Sequence, residues 1–206
     1  MMPFWIGADA SCTDGACGQV GRIIVNPVTR AVTHLAVHPS HRRSPGRLVP
    51  VDLVDTATGQ IRLRCTLAEF QTLRPAQEAE SVRGLDPTGQ ANAPKQVNLF
   101  VWLHAARDPK SEAPQQVWVD SVPPGEVDIR RDLTVCATDG EIGQAQGLVV
   151  APGGHQVTHV LLQAGGMRGR KEVAIPIGAV TKIGTLLIHL SLTTHQVEDL
   201  PPLNID

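Results

Sequence analysis

The sequence predicts an all-β protein built from two copies of one small, strand-rich unit. Two observations carry this prediction. The two ends of the chain align with each other at a fixed offset, and each copy contains short β-branched runs that are separated by turn residues. Because each copy has only about five or six short strands and one short helix, it can bury a core only by curling into a small barrel. The predicted architecture is therefore two tandem small β-barrels, each with a short C-terminal helix.

The repeat is visible residue against residue. Asp14 aligns with Asp139, an offset of 125 residues that runs without a gap from residue 13 to residue 37. Further along the chain, Pro50 aligns with Pro176 after one inserted residue. We expect the offset then to return to 125, which places Ile61, Leu63 and Cys65 over Leu186, Ile188 and Leu190. The identical segments are Thr13-Asp14-Gly15 with Thr138-Asp139-Gly140, Gly18-Gln19 with Gly143-Gln144, Pro27 with Pro152, and Val32-Thr33-His34 with Val157-Thr158-His159.

Each copy opens with a turn. In the two TDG segments, the aspartate side chain can bond the backbone ahead of it and the glycine can take a positive φ, so each segment starts a hairpin. The turn residues are Asp14, Gly15, Asp139 and Gly140. The runs GRIIVNP and VTHLAV follow in the first copy, and GLVVAP and VTHVLL follow in the second; all four have the composition of strands.

The end of each copy combines a proline-bearing strand with a short helix. Pro50 in VPV and Pro176 in IPI cannot donate to a ladder, so each is predicted at a bulge or at an exposed sheet edge. The strands QIRLRC and TLLIHL come next. Thr66 with Glu69, and Thr193 with Gln196, then have the spacing of a capping box, which predicts the start of a helix.

The predicted domains are residues 1–74 and 123–206. The segment between them, residues 75–122, is mostly polar and is interrupted by Gly and Pro, as is typical of a linker. Two stretches within it, 97–105 and 116–122, have the pattern of strands. They would either extend a barrel edge or pair with each other.

Composition excludes several classes of protein. A formal net charge of −2, with 18% charged residues, does not fit a whole-chain nucleic-acid binder or an acidic disordered tail. Aromatic residues make up 3% of the chain, which leaves little for base stacking. The first residues have no signal-peptide pattern and no apolar run reaches membrane-spanning length, so we expect a cytoplasmic chain without a transmembrane segment. The four cysteines are then expected to be buried, reduced thiols.

Motifs that would indicate catalysis are missing from the sequence. It contains no GxSxG nucleophile elbow, no HExxH zinc helix and no CxxC pair. His38 and His41 straddle a proline, but two histidines without a third ligand do not make a metal site. The sequence therefore predicts a protein that is not an enzyme and has no cofactor, metal site or catalytic residue.

One basic constellation stands out in this nearly neutral chain. The loop between the VTH strand and the proline strand is HPSHRRSPGR in the first copy and QAGGMRGRK in the second. Guanidinium forks suit phosphate and carboxylate acceptors, so these loops are candidate anion- or partner-binding sites. The alternative is that they are solvated loops without a ligand. The candidate residues are Arg42, Arg43 and Arg47 in the first loop, and Arg168, Arg170 and Lys171 in the second.

These motifs resemble the PRC-barrel family. The resemblance lies in TDGxxGQ, the IIV or LVV strand, the VTH strand and the VPV or IPI strand, and it covers both repeats. It is strongest in the second copy, from PPGEVDIRRDL through GRKEVAIPIGAV to QVEDLPP. The family includes the cytoplasmic barrel of the photosynthetic reaction-centre H subunit and the C-terminal domain of a ribosome maturation factor. The first carries a transmembrane helix that is not predicted here, and the second has an unrelated N-terminal barrel, so neither specific role is carried over.

The resemblance implies a small β-barrel that acts as a non-catalytic docking or assembly module for a protein partner. Two alternatives rest on the basic loops: a ribosome- or RNA-associated factor, and a peripheral binder of anionic membrane surfaces. The duplication further predicts that the two barrels bury matching faces in a pseudo-twofold arrangement, as a homodimer would.

Overall fold

A computed structural model describes residues 2–39, 46–55, 60–82, 115–151, 154–166 and 169–201, and within these ranges the protein is mostly β-sheet with two short helices. The all-β prediction is therefore confirmed. The elements of the first part are β1 (Met2–Trp5), β2 (Asp9–Cys12), β3 (Gly15–Asn26), β4 (Ala31–His38), β5 (Arg47–Pro50), β6 (Val54–Asp55), β7 (Ile61–Leu63), α1 (Leu67–Thr72) and β8 (Gln77–Val82).

The second part begins after residue 114 and has nearly the same succession of elements. It consists of β9 (Gln115–Asp120), β10 (Val127–Arg130), β11 (Thr134–Cys136), β12 (Glu141–Val150), β13 (Val157–Gly166), β14 (Gly169–Pro176), β15 (Val180–Ile183), β16 (Leu187–Leu190) and α2 (Thr194–Glu198). Short 3₁₀ turns, Val51–Leu53 and Ile177–Ala179, follow the two proline-bearing strands.

In the described part of the chain, two seven-stranded sheets have the same strand order. The first is β5-β4-β3-β2-β7-β6 and the second is β14-β13-β12-β11-β16-β15. Each sheet takes its seventh strand from the other part of the chain, because β10 pairs with β3 and β1 pairs with β12. A separate two-stranded ribbon is formed by β8 and β9. Residues that occupy the same place in the two strand orders are called equivalent below.

The exchange of β1 and β10 is reciprocal. Met2 lies opposite Val150, and Val127 lies opposite Val25, so both members of one pair differ from those of the other by the same 125 residues. The two halves also meet at an antiparallel bridge between Ala31 and its equivalent, Gln156. On either side of this bridge two main-chain bonds of 2.8 Å repeat the relation: Val32 N donates to His155 O and Val157 N donates to Arg30 O.

The apolar core is shared by both halves. One buried cluster includes Ile23 and Leu35 from the first sheet and Leu148 and Ile188 from the second. The buried residues of the two halves thus form one continuous cluster, and two closed barrels with separate interiors stay a prediction. The physical reason for the continuity is the strand exchange, since β1 and β10 carry their apolar side chains into the opposite sheet; Phe4, for example, is only 2% exposed. Burying one such side chain contributes roughly 1.5–3 kcal/mol.

A glycine is required at one place in each half. Gly18 and Gly143 have φ values of +143° and +149°, which side chains rarely adopt. A Cβ atom on either residue would lie 2.1 Å from a carbonyl oxygen, that of His38 or that of Gln163. Both glycines follow the TDG turn, and the antiparallel registers of β2 and β11 with their partners shift beside them.

The two strand prolines lie at sheet edges. Pro50 ends β5 and Pro176 ends β14, and these are the outermost strands of the two orders. The two helices begin at capping boxes, as predicted. Thr66 accepts from Glu69 N and Thr193 accepts from Gln196 N, each at 3.3 Å, and the Glu69 and Gln196 side chains accept in return from the threonine N–H groups.

The predicted alignment of the last strand is wrong by two residues. Ala10 of β2 lies opposite Ile61 of β7, whereas the equivalent Val135 of β11 lies opposite Ile188 of β16. Ile61 therefore corresponds to Ile188 and not to Leu186, which is 70% exposed. Side chains of a strand alternate with a period of two, so a slip of two residues preserves the apolar pattern and is invisible to it.

The segment that joins the halves contains one strand that the sequence did not predict, β8. β9 lies where a strand was predicted over 116–122, but its partner is β8, in a stretch that was interpreted as linker. The predicted strand 97–105 lies outside the described residues. Across the predicted boundaries of 1–74 and 123–206, β1 joins the sheet of the second part and β10 that of the first.

Candidate functional site

A buried polar cluster lies where β10 and the ribbon meet the first sheet. At its centre is Arg22 of β3, which is only 5% exposed. Its Nη1 atom is 3.4 Å from Asp128 Oδ2, and its Nη2 atom is 3.3 Å from Asp120 Oδ1. Nη2 also donates to the carbonyl oxygen of Ala76 at 2.7 Å. One guanidinium therefore joins β3, β9, β10 and the start of the ribbon.

A second arginine completes this arginine cluster, which we define as Arg22, Asp120, Asp128 and Arg130. Arg130 pairs with Asp128, and its Nη2 atom is 3.3 Å from Asp120 Oδ2. Burial works to lower the pKa of Arg130, but the Asp128 and Asp120 carboxylates outweigh burial and the pKa is raised. Two cations and two anions balance each other, so the cluster satisfies its own charge. Among the described residues, Arg130 Nε and Ser121 Oγ are buried polar atoms without a partner.

His38, the last residue of β4, lies beside the cluster. Its ring packs so closely on Gly21 and Gly46 that a Cβ atom there would lie 2.4 Å or 2.6 Å from ring atoms. Burial lowers the pKa of His38, and the nearby Arg22 cation lowers it further, while Asp120 acts in the opposite sense. The imidazole is therefore neutral near pH 7. His41, its predicted neighbour, lies outside the described residues.

Of the six basic residues predicted to bind an anion or a partner, three lie on described strands. Arg42, Arg43 and Arg168 lie outside the described residues, and Arg170 is placed on β14. Arg47 and Lys171 lie on strands instead of in loops, and their cationic groups bind main-chain carbonyls. Arg47 Nη1 donates to Leu73 O at 3.1 Å. Lys171 Nζ donates to Leu200 O at 2.5 Å and to Glu198 O at 2.9 Å. Both cations thus hold the chain just after a helix.

The turn aspartates reach beyond their turns. Asp14 Oδ1 accepts from Leu67 N at 2.8 Å, and Asp139 Oδ1 accepts from Thr194 N at 2.8 Å, so each carboxylate binds the first turn of a helix more than 50 residues away in sequence. The bonds from the Thr194 backbone and hydroxyl lower the pKa of Asp139. The purely local explanation of these aspartates is therefore incomplete, since each one also fixes a helix to a hairpin.

Three cysteines gather in the first half. Cys12, Cys17 and Cys65 are buried, and Cys136 is half-buried. Burial, followed by the neighbouring Cys17 thiol, raises the pKa of Cys12 to about 12; burial and Cys12 raise that of Cys65 to about 11. Such thiols stay protonated near pH 7 and are poor nucleophiles. They act as small apolar side chains, in line with Ala137 and Ile142 at the positions equivalent to Cys12 and Cys17.

The arginine cluster is the site that sequence reasoning missed. Arg22 is followed in the chain by β-branched residues, and Asp120 and Asp128 lie about 100 residues further on, so no local spacing links them. Within the described ranges, no three His, Cys, Asp or Glu side chains are placed to hold a metal ion. The helices of these ranges are all too short or too polar to cross a membrane.

Neither the protein-family models nor the curated proteins include a match to this chain.

Proposed function

We propose that the protein is an internally duplicated, PRC-barrel-type binding module that docks to a protein partner and performs no catalysis. In this proposal, two copies of one half-size unit have exchanged their first strands and act as a single body. The partner binds surfaces that the duplication leaves different in the two halves.

The reciprocal pairing of β1 and β10 is the observation that carries the proposal. The two exchanged strands have the same length and the same antiparallel register, although their sequences, MPFW and VDIR, share no residue. A common backbone under unrelated side chains supports descent from one unit that once paired with a second copy of itself. Symmetric pairing of this kind is a general route to homodimers.

The fates of the polar side chains support a role without catalysis. Asp14 and Asp139 bind helix N-termini, Arg47 and Lys171 bind carbonyls after the helices, and the arginine cluster neutralises itself. In each case the charged group is used to hold the fold. Residues of an active site would instead direct such groups toward a shared space.

An affinity purification from the native cell tests this proposal. The tagged full-length chain is compared with a variant in which Arg42, Arg43, Arg168 and Arg170 are all changed to Glu. We expect a protein to co-purify in fixed stoichiometry and to resist high salt. Retention of only RNA or of acidic-lipid vesicles, lost at high salt and with the reversed charges, would contradict the proposal and favour one of the two alternatives.

A further inference from the structure

We propose that the outer edge of β14 binds an extended segment of a partner protein as an added antiparallel strand. This inference rests on the proposed function and names the surface through which the partner docks. It comes from a difference between the outer strands of the two sheets, β5 and β14.

The first half covers the edge of β5 with its own chain. Leu48 N donates to Arg74 O and Ala76 N donates to Gly46 O, both at 2.8 Å. An antiparallel bridge joins Arg47 to Pro75 between these two bonds. Residues 74–76 therefore act as a further strand on this sheet, and Leu48 beneath them is only 3% exposed.

The second half reaches the same point and then diverges. In both halves a cation of the outer strand binds a carbonyl just after the helix: Arg47 binds Leu73 O and Lys171 binds Leu200 O. Lys171 lies two positions before Val173, the residue equivalent to Arg47. The residue after Leu200, Pro201, is equivalent to Arg74. Within the described ranges, however, neither Pro201 nor any other residue forms with β14 the main-chain bonds that 74–76 form with β5.

The register shows which groups of β14 face outward. Leu161 lies opposite Ala174 as Ala36 lies opposite Leu48, so Ala174 has the position of Leu48, and Glu172 has that of Gly46. In an antiparallel ladder alternate residues direct their N–H and C=O groups to the same side. The main-chain groups of Ala174 and Glu172 therefore point away from β13. Glu172 is exposed and Ala174 is half-buried.

Such an edge is a template for an extended peptide, whose main-chain bonds provide affinity while its side chains provide specificity. β14 has eight residues against four in β5, so it offers a longer edge. Residues 75 and 76, which cover β5, indicate which side chains fit. Pro75 lies between the two residues that bond to β5, so its missing N–H group loses no bond to this strand, and the residue after it, Ala76, is small. An antiparallel segment would continue toward residue 170, at the start of β14.

The chain itself supplies a suitable probe peptide. Residues 73–79, Leu-Arg-Pro-Ala-Gln-Glu-Ala, contain the proline and the small residue. In the register that 74–76 have on β5, Ala76 of the peptide lies opposite Glu172, and Pro75 lies opposite Val173. Amide hydrogen exchange and chemical shifts of the isotope-labelled full-length chain are followed by NMR with and without this peptide. We expect the Ala174 amide to exchange at least about tenfold faster than that of Leu48 in the free chain, and to become protected when the peptide binds.

Two controls remove single main-chain donors. Ala174→Pro deletes an outward-facing N–H and leaves the ladder to β13 intact. A peptide that is N-methylated at the alanine following the proline deletes the donor to Glu172 O and does not depend on the folding of any variant. We expect each change to weaken binding by about tenfold.

Three results would overturn the edge proposal: an Ala174 amide that is already as protected as that of Leu48, peptide addition that leaves Ala174 unchanged, or binding that is insensitive to both controls. A co-purification experiment distinguishes failure of the docking function from failure of the edge proposal. If Ala174→Pro still co-purifies the native partner, docking stands and the β14 edge is excluded. If the unmodified chain co-purifies no protein, the docking function fails whatever the peptide does.

Discussion

The two strand-exchange junctions have the same backbone and different chemistry. Where β10 lies on β3, the side chains include Arg22, Asp128 and Arg130, which are linked in the arginine cluster. Where β1 lies on β12, the equivalent positions are Gly147, Pro3 and Trp5. The ladder of main-chain bonds is therefore enough to exchange a strand, and the ionic groups are an addition to it.

The ionic groups of the first junction lie where the β8-β9 ribbon meets the sheet. Asp120 closes the cluster from β9, and Gln77 of β8 donates to Asp120 at 3.0 Å. A two-stranded ribbon is marginally stable alone. The cluster anchors the ribbon to the first sheet. Among the described residues the second half has no corresponding ribbon, which explains why it does without the charges. The two halves therefore differ at the place where the first half carries an additional element, the β8-β9 ribbon.

The largest loss of stability is expected at Gly18 and Gly143, where the two halves have the same backbone conformation. Gly18→Ala and Gly143→Ala each force a side chain onto a carbonyl at positive φ, so each should lower the free energy of unfolding by more than about 3 kcal/mol. Gly140→Ala is the control, since its Cβ meets nothing within 4 Å. Urea denaturation measures all three. A large loss in one half and none in the other would show that the two turns are not equivalent.

The next largest loss of stability is expected at only one of the two strand-exchange junctions. Asp128→Ala leaves Arg22 buried with one carboxylate fewer, so we expect a loss of about 3 kcal/mol. Pro3→Ala, at the equivalent position of the other junction, removes no charge and should cost less than about 1 kcal/mol. Hydrogen exchange should locate the Asp128 effect in β8 and β9. Equal losses for the two variants would contradict the assignment of the cluster to ribbon anchoring.

The local sequence signals succeed where the interactions are local. Capping boxes at Thr66 and Thr193 and edge prolines depend on a few neighbouring residues, and the structure places them in such elements. The positive φ expected at Gly15 and Gly140 is found instead three residues further on, at Gly18 and Gly143. The exchange of β1 with β10 escaped detection because MPFW and VDIR share no residue and pair with strands more than 100 residues away. The ribbon strand β8 escaped because QEAESV has no apolar alternation, and Asp120 meets Arg22 only through tertiary pairing.

A smaller loss of stability is expected from the two helix caps, which are alike in the two halves. Thr66→Ala and Thr193→Ala remove the side-chain acceptor at the two helix N-termini. Each should cost about 1 kcal/mol, and the two values should agree within about 0.5 kcal/mol. Thermal or urea unfolding measures both. A difference of more than about 0.5 kcal/mol between the two variants would mean that the two helices do not have matching roles.

The smallest effect concerns pH. The pKa of His38 is lowered in the folded chain, so the unfolded chain binds more protons between that lowered pKa and the ordinary histidine pKa of 6.5. The stability contributed by neutral His38 is therefore present above pH 6.5 and declines as the pH falls through the folded pKa. His38→Gln, which installs the residue found at the equivalent position Gln163, should flatten this part of the stability profile. An unchanged slope between pH 7.5 and pH 5 would show that His38 does not cause it.

The central claim is the reciprocal exchange of β1 and β10, and proton–proton NOEs in the full-length chain test it most directly. Cross-strand NOEs from residues 2–5 to 147–150, together with NOEs from residues 127–130 to 22–25, are the predicted result. NOEs that place residues 2–5 against 22–25, and residues 127–130 against 147–150, would contradict the account, because each half would then be complete without the other.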